Sequence, residues 1–273
     1  MARLWLIGGT QESRELVQQL VSRLSQSSHT VPSPACLVTV TTTAARALYP
    51  QSPHLQVQIG QLTAGLALDL VIQSDVRAIL DLSHPFAIAI SQRAIAIAQR
   101  YQLSYLRYER PTVAAPSTPW RDRRDRAGLV CLPQLQDLLT EAYLERDRTL
   151  LTLGYRQLSL FASWQSRATL FARILPSPMA LKTALQAGFT PDRLIALRPP
   201  ISAELETALW RQWQITQIVT KASGTPGGQD QKQALAATEG VRLLQIMRPK
   251  ITYPNQTDDL DTALQFAVRY CSH

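Results

Sequence analysis

The residues best suited to act on a ligand lie in short polar stretches, each closing an apolar run. Gly8, Gly9 and Thr10 follow Leu6-Ile7 and precede a segment of helical period. A strand, a tight turn and a helix in that order offer backbone N–H groups and a helix dipole to a phosphate. The third glycine of G-x-G-x-x-G is missing, so a plain strand-to-helix turn suits the stretch equally well. The next apolar run ends in Val40-Thr41-Thr42-Thr43, with Arg46 shortly after and no Asp or Glu placed for a ribose diol. Hydroxyls beside an arginine suit a 2′-phosphate, favouring NADP over NAD; a Thr-capped helix with an exposed arginine is the bland alternative.

Two more run ends carry reactive groups. Asp81-Leu82-Ser83-His84-Pro85-Phe86 holds the only one of four histidines at such a position, while His29 and His54 lie in Pro/Ser loops and His273 is terminal. With an ordinary pKa of about 6.5, His84 could donate a proton near neutrality, or serve only as a contact at a helix N-terminus. Tyr105-Leu106-Arg107-Tyr108-Glu109-Arg110-Pro111 adds two arginines. Farther on, Lys221 and Lys232 flank a loop containing Ser223, Gly224 and Gly228, which is suited to anionic oxygens although G-x-x-x-x-G-K-[ST] is not satisfied. Lys221, like solvent, is an alternative proton source. Gly154 and Tyr155 within Thr152–Arg156, and Arg248 within Met247–Pro249, end other apolar runs of this half.

Positioning these groups requires alternating strands and helices. The periodicity predicts strands near 3–7, 36–41, 57–59, 77–82, 104–107 and 129–131, with helices near 11–24, 63–73, 86–101 and 134–146. A second series has strands near 149–153, 169–174, 193–197, 215–220 and 241–246, with helices near 178–187, 202–212, 229–239 and 258–270. The expected fold is α/β with parallel sheets, as two similar domains, 1–147 and 148–273, because about ten strands in one open sheet would be unusual. Segments 25–34 and 111–126 read as loops, and no repeat is evident. In open α/β sheets ligands bind outside the carboxyl ends of strands, so a cleft lined by both sets of strand ends is the expected site.

Composition limits the function classes. The 273-residue chain is 45% hydrophobic and 18% charged, carries net charge +8 and has a pI near 9.8, so an acidic partner is expected. The densest basic segment, Arg121, Arg123, Arg124 and Arg126, is interrupted by Asp122 and Asp125 without an aromatic ladder, so nucleic acid is not the expected partner. No long apolar run and no cleavable leader are present, which points to a cytoplasmic protein without a membrane partner. Cys36, Cys131 and Cys271 are odd in number and widely spaced, arguing against a disulfide framework and a zinc site; no metal is expected.

GGTQES, DLSHPFAIAIS, YLRYERP, LTLGYR, FARILPSP, VTKASGTPGG with Lys232, and MRP resemble, in order from Leu6 to Pro249, the signature blocks of the precorrin-6A reductase family of cobalamin biosynthesis. The resemblance implies two Rossmann-like domains holding NADPH and a corrin precursor between them. It implies reduction of one ring double bond of precorrin-6A or its cobalt counterpart. The expected site then has His84 and Lys221 as catalytic residues and Gly8, Gly9, Thr10, Thr42, Arg46 and Ser83 on the cofactor. Arg107, Arg110, Gly154, Tyr155, Ser223, Gly224, Gly228, Lys232 and Arg248 would hold the polycarboxylate tetrapyrrole. The chain departs from the family pattern at Ser83, where Thr is common, and at Ala222, where an acidic residue is frequent. Another NADP-dependent reductase or transferase acting on an acidic small molecule is the second reading. A non-catalytic nucleotide-binding module is the third.

Overall fold

Runs of consecutive apolar residues become the inner strands of two parallel sheets. The computed structural model describes residues 4–26, 34–60, 71–114 and 128–271. The expected helix over 63–73 falls mostly outside these residues, and Arg121, Arg123, Arg124, Arg126, His29 and His273 fall wholly outside them.

The first sheet contains β1 (Leu4–Ile7), β2 (Cys36–Val40), β3 (Leu55–Ile59), β4 (Ala78–Asp81), β5 (Ser104–Tyr108) and the late strand β12 (Gln256–Thr257), in the order β12-β5-β4-β1-β2-β3. Every residue of β1, β2 and β4 is buried, as expected of parallel strands covered on both faces. Alternation decides which face each side chain meets. Leu4 and Leu6 pack with Leu16 and Leu20 of α1 (Gln11–Gln26) and with Leu264 of α6 (Leu260–Cys271). Trp5 and Ile7 pack on the opposite side with Ala94 and Ile97 of α2 (Ile88–Tyr101). Burying each large side chain stabilises the fold by about 1.5–3 kcal/mol relative to exposure.

The second sheet contains β6 (Leu129–Leu132), β7 (Arg148–Leu151), β8 (Thr169–Ile174), β9 (Leu194–Ala196), β10 (Gln217–Lys221) and β11 (Arg242–Ile246), in the order β6-β11-β10-β7-β8-β9. It carries α3 (Pro178–Gln186), α4 (Ala203–Gln212) and α5 (Gln229–Glu239). Local capping is legible in α3, where the Ser177 hydroxyl accepts from the Ala180 N–H and Pro178 opens the first turn.

Two expectations need correction. Instead of dividing near residue 148, the chain forms one unit from residues 1–111 and 250–273 and another from 112–249. The run at 129–132 pairs with β11, Leu129 opposite Leu243, and α6 places Ala263, Leu264 and Ala267 in the first core. An apolar run announces a strand without naming its partner. The single helix expected over 134–146 is instead a turn at Leu135–Leu138, capped reciprocally by Gln134 and Asp137, and a short helix at Glu141–Leu144. Thr140, extended at φ −135° and ψ 155°, separates them.

Cys36 and Cys271 are buried thiols and Cys131 is exposed. Among the described residues no helix is long and apolar enough to cross a membrane, and no cluster of three His, Cys, Asp or Glu could hold a metal.

Candidate functional site

Strand order reverses direction between β1 and β4 in the first sheet and between β7 and β10 in the second, the positions where open α/β sheets receive ligands. Each reversal is crossed by a side chain bonded to a carbonyl of the neighbouring strand end. In the first sheet Thr10 Oγ1 donates to the Leu82 carbonyl at 2.9 Å, joining Gly8-Gly9-Thr10 to Ser83-His84. Counted from Gly8, the second and third glycine positions of the nucleotide fingerprint are held by Thr10 and Ser13.

Ser13 is fully buried, and its hydroxyl donates to the Thr10 carbonyl at 2.8 Å, so helix and strand approach closely without a third glycine. The Thr10 N–H donates to Ser13 Oγ, and the Ser13 N–H donates to Thr10 Oγ1. The Gly9 N–H donates to Tyr49 Oη at 2.7 Å, and because the Ser13 proton points at Thr10, the phenol donates to Ser13 Oγ at 2.7 Å. Sequence reasoning missed Tyr49, which lies 40 residues from the turn and carries no local signal. Gly9 has φ +98° and open space where a side chain would stand, so the turn leaves room for a ligand to approach its backbone. Thr42 and Arg46 are exposed beyond the end of β2.

Three residues expected to touch ligands face inward. Asp81, fully buried, accepts four bonds: the Ser83 N–H and Arg107 Nη1 on one oxygen, Ser91 Oγ and Tyr105 Oη on the other. Arg107 is 1% exposed and also donates to Glu109 at 2.9 Å and to Ser83 Oγ at 3.0 Å, with the Tyr253 ring 5.3 Å beneath it. Burial works against the Arg107 charge, and Asp81 and Glu109 more than offset it. Burial and then the Asp81 charge push the Tyr105 phenol well above its ordinary range. The Ser83 hydroxyl belongs to this network, and Arg110 is buried in an ion pair with Glu12. Ser83, Arg107 and Arg110, expected from the sequence to touch ligands, therefore brace the strand ends through these bonds. His84 is half-buried, and its Nδ1 accepts the Phe86 N–H at 3.2 Å.

In the second unit the expected residues converge on the ends of β7, β10 and β11. Lys221 Nζ donates to the Leu153 carbonyl at 2.8 Å, bringing it beside Gly154 and Tyr155, and Arg248 Nε donates to the Ala222 carbonyl at 2.7 Å. Burial, followed by the Arg156 charge, lowers the pKa of Lys221. Gly154 and Gly224 take φ values of +79° and +78°, backbone conformations that explain a glycine at each turn. Beneath the loop, the Gly224 N–H donates to Gln229 Oε1, which belongs to a buried ladder with Gln233 and Gln245. Lys232 is 6% exposed; its ammonium donates to the Gly227 and Gly228 carbonyls at 3.3 and 3.1 Å, so it pins the loop from below. Burial, reinforced by Arg173 and partly offset by Glu206 and Asp230, brings its pKa down to about 8. The Arg173–Glu206 pair and the glutamine ladder carry no spacing signal that sequence reasoning could have used.

The chain matches the family model "Precorrin-6x reductase CbiJ/CobK" over residues 3–268. It is 43% identical to a cobalt-precorrin-6A reductase of Synechocystis sp. over 274 aligned residues, covering 99% of this chain and 97% of that one. It is 32% identical to a precorrin-6A reductase of Rhodococcus erythropolis, covering 95% and 94% of the two chains. The solved structure of a CobK precorrin-6A reductase superposes with TM-score 0.76 at 20% identity, over 99% of this chain and 98% of that one, a likeness of fold. A match of nearly full length, supported by a close relative aligned end to end, makes this chain a member of the precorrin-6x reductase CbiJ/CobK family.

Proposed function

We propose that the chain is an NADPH-dependent reductase that saturates one ring double bond of cobalt-precorrin-6A, with the cobalt-free precorrin-6A as the second substrate to compare. The observation that carries this reading is the 43% identity to a relative named for the cobalt form. The first unit fits a dinucleotide. The free space beside Gly9 and the start of the 16-residue helix α1 suit a pyrophosphate, and exposed Thr42 and Arg46 suit a 2′-phosphate. The substrate's acetate and propionate groups fit the basic strand ends of the second unit, Lys221, Arg248 and the Tyr155–Arg156 turn, through charge-assisted hydrogen bonds.

Bound NADPH supplies a hydride to one end of the reduced double bond. The chain supplies position and the proton for the other end. Lys221 is the better donor of the two candidates, since its burial beside Arg156 makes it more acidic than an ordinary lysine. His84 acts as a hydrogen-bonding group, because its Nδ1 already accepts from Phe86.

Oxidation of NADPH followed with each of the two substrates tests the assignment. Turnover with the cobalt form, faster than with the cobalt-free form, is expected; turnover with neither overturns the reading. Arg46→Ala should weaken NADPH by about ten- to a hundredfold, the cost of one charge-assisted contact, and leave NADH nearly unchanged. Equal loss for both nucleotides removes Arg46 from the 2′-phosphate.

A further inference from the structure

Resting on the cofactor reading above, we propose that Tyr49 is a positioning residue that sets the preference for a 2′-phosphorylated nucleotide. It does so by fixing the Thr42–Arg46 segment against the turn between β1 and α1. Tyr49 lies three residues beyond Arg46 and its N–H donates to the Arg46 carbonyl at 3.1 Å. Its ring is buried in the first core, 7% exposed, and its hydroxyl bridges the Gly9 N–H and Ser13 Oγ at 2.7 Å each. One residue thus touches both parts of the expected nucleotide site.

The helical turn Thr43–Arg46 has no buried residue of its own, so its place depends on what flanks it. On one side Thr42 caps it, accepting from the Ala45 N–H at 3.1 Å. On the other side stands Tyr49. The match to the β1–α1 turn is close: a Cβ at position 8 would lie 2.3 Å from Tyr49 Oη, so the first glycine makes room for the phenol. Gly9 gives to the phenol, the phenol and the Ser13 hydroxyl share a hydrogen bond, and Ser13 also bonds the Thr10 carbonyl, so a missing phenol hydroxyl removes its contacts to both Gly9 and Ser13.

NADH and NADPH share the pyrophosphate that the turn would hold, and differ only in the phosphate that Thr42 and Arg46 would read. A shift of that segment relative to the turn therefore penalises NADPH alone. Without the hydroxyl, the ring still fills the core while the bridge is lost.

Titration of the full chain with each nucleotide, monitored by calorimetry, tests this with Tyr49→Phe. NADPH affinity should fall by roughly five- to tenfold, the worth of a hydrogen bond or somewhat more, while NADH stays within about twofold and the thermal midpoint moves little. In an Arg46→Ala background the same change should have no further effect on NADPH, because the reader it positions is gone. Equal loss for both nucleotides, no loss, or tighter NADPH would each overturn the proposal, the first leaving Tyr49 a structural residue and the last making it a competitor for the phosphate. A wild-type chain that binds NADPH no better than NADH overturns the cofactor reading itself, and the proposal with it.

Discussion

The two sheet edges handle charge in opposite ways. At the end of β4 and β5, Asp81, Arg107 and Glu109 form a buried ion network, Arg110 is paired with Glu12, and the β1–α1 turn uses neutral hydroxyls and N–H groups. At the ends of β7, β10 and β11, Lys221, Lys232 and Arg248 are each anchored through backbone carbonyls. A carbonyl satisfies an N–H without neutralising its charge, so the second edge holds its cations on backbone oxygens where the first holds them on carboxylates. The first edge is suited to recognition by backbone shape plus the exposed Arg46; the second is suited to a polyanion. Under the proposed function these are the cofactor and the corrin precursor respectively.

The largest expected effect breaks the first edge. Asp81→Ala removes the acceptor of four buried donors and leaves Arg107 with Glu109 alone among its carboxylate partners, so unfolding free energy should fall by about 3–5 kcal/mol. Denaturant titration measures it. A loss below about 1 kcal/mol, the value of an exposed pair, would mean that the network is not holding the strand ends.

That network also marks how far the sequence could be read. The apolar runs were legible: strands appear at 4–7, 36–40, 78–81 and 104–108 close to expectation, since parallel strands covered on both faces need little beyond continuous hydrophobicity. Polar residues at strand ends were legible as a group, because topology puts strand ends together. Which of them turn inward was not. Arg107 and Arg110 have the composition of substrate contacts, and only the placement of Asp81 and Glu12 in three dimensions shows the arginines already paired. The same limit hid the partner of β6 and the reach of Tyr49, both decided by contacts between residues far apart in sequence.

The second edge should show the cost of burying a cation on backbone carbonyls. Lys232 has its pKa lowered to about 8 from the ordinary 10.5, so the folded state releases its proton at lower pH than the unfolded chain. Between those values the unfolded state binds more protons, and stability rises with pH; below about pH 8 the gain is lost and the buried ammonium is carried as a cost. Over that window the contribution is at most about 3.5 kcal/mol, taking about 1.4 kcal/mol per unit. Subtracting the stability of Lys232→Met from that of the wild type at each pH isolates this rise. A flat difference curve would remove Lys232 from the list of costly cations.

Smaller again is the effect of Lys221→Met, which should weaken the tetrapyrrole by about ten- to a hundredfold while leaving the thermal midpoint nearly unchanged, the reverse of Asp81→Ala. Raising salt should weaken wild-type binding more than that of the variant, since part of the attraction is screened. If stability falls and affinity does not, Lys221 serves the fold as Asp81 does and the contrast between the edges fails.

His84 gives the smallest and most discriminating effect, because it belongs to the neutral edge yet is the residue whose sequence context suggested acid chemistry. Its Nδ1 accepts the Phe86 N–H, which leaves the proton of the neutral ring on Nε2. To act as an acid the ring must first become an imidazolium, and protonating Nδ1 breaks that bond and sets the Phe86 N–H against a cation. Glutamine can place an N–H donor near the Nε2 position but cannot titrate. His84→Gln should therefore keep kcat/KM within about threefold, whereas His84→Ala should lose about tenfold through KM, the worth of one hydrogen bond, with kcat nearly preserved. The single-turnover rate of all three forms should show the same pH profile. If Gln and Ala instead lose the rate equally, by about a hundredfold or more, and both lose a limb of the wild-type pH profile, His84 is the acid after all and the first edge carries chemistry as well as shape.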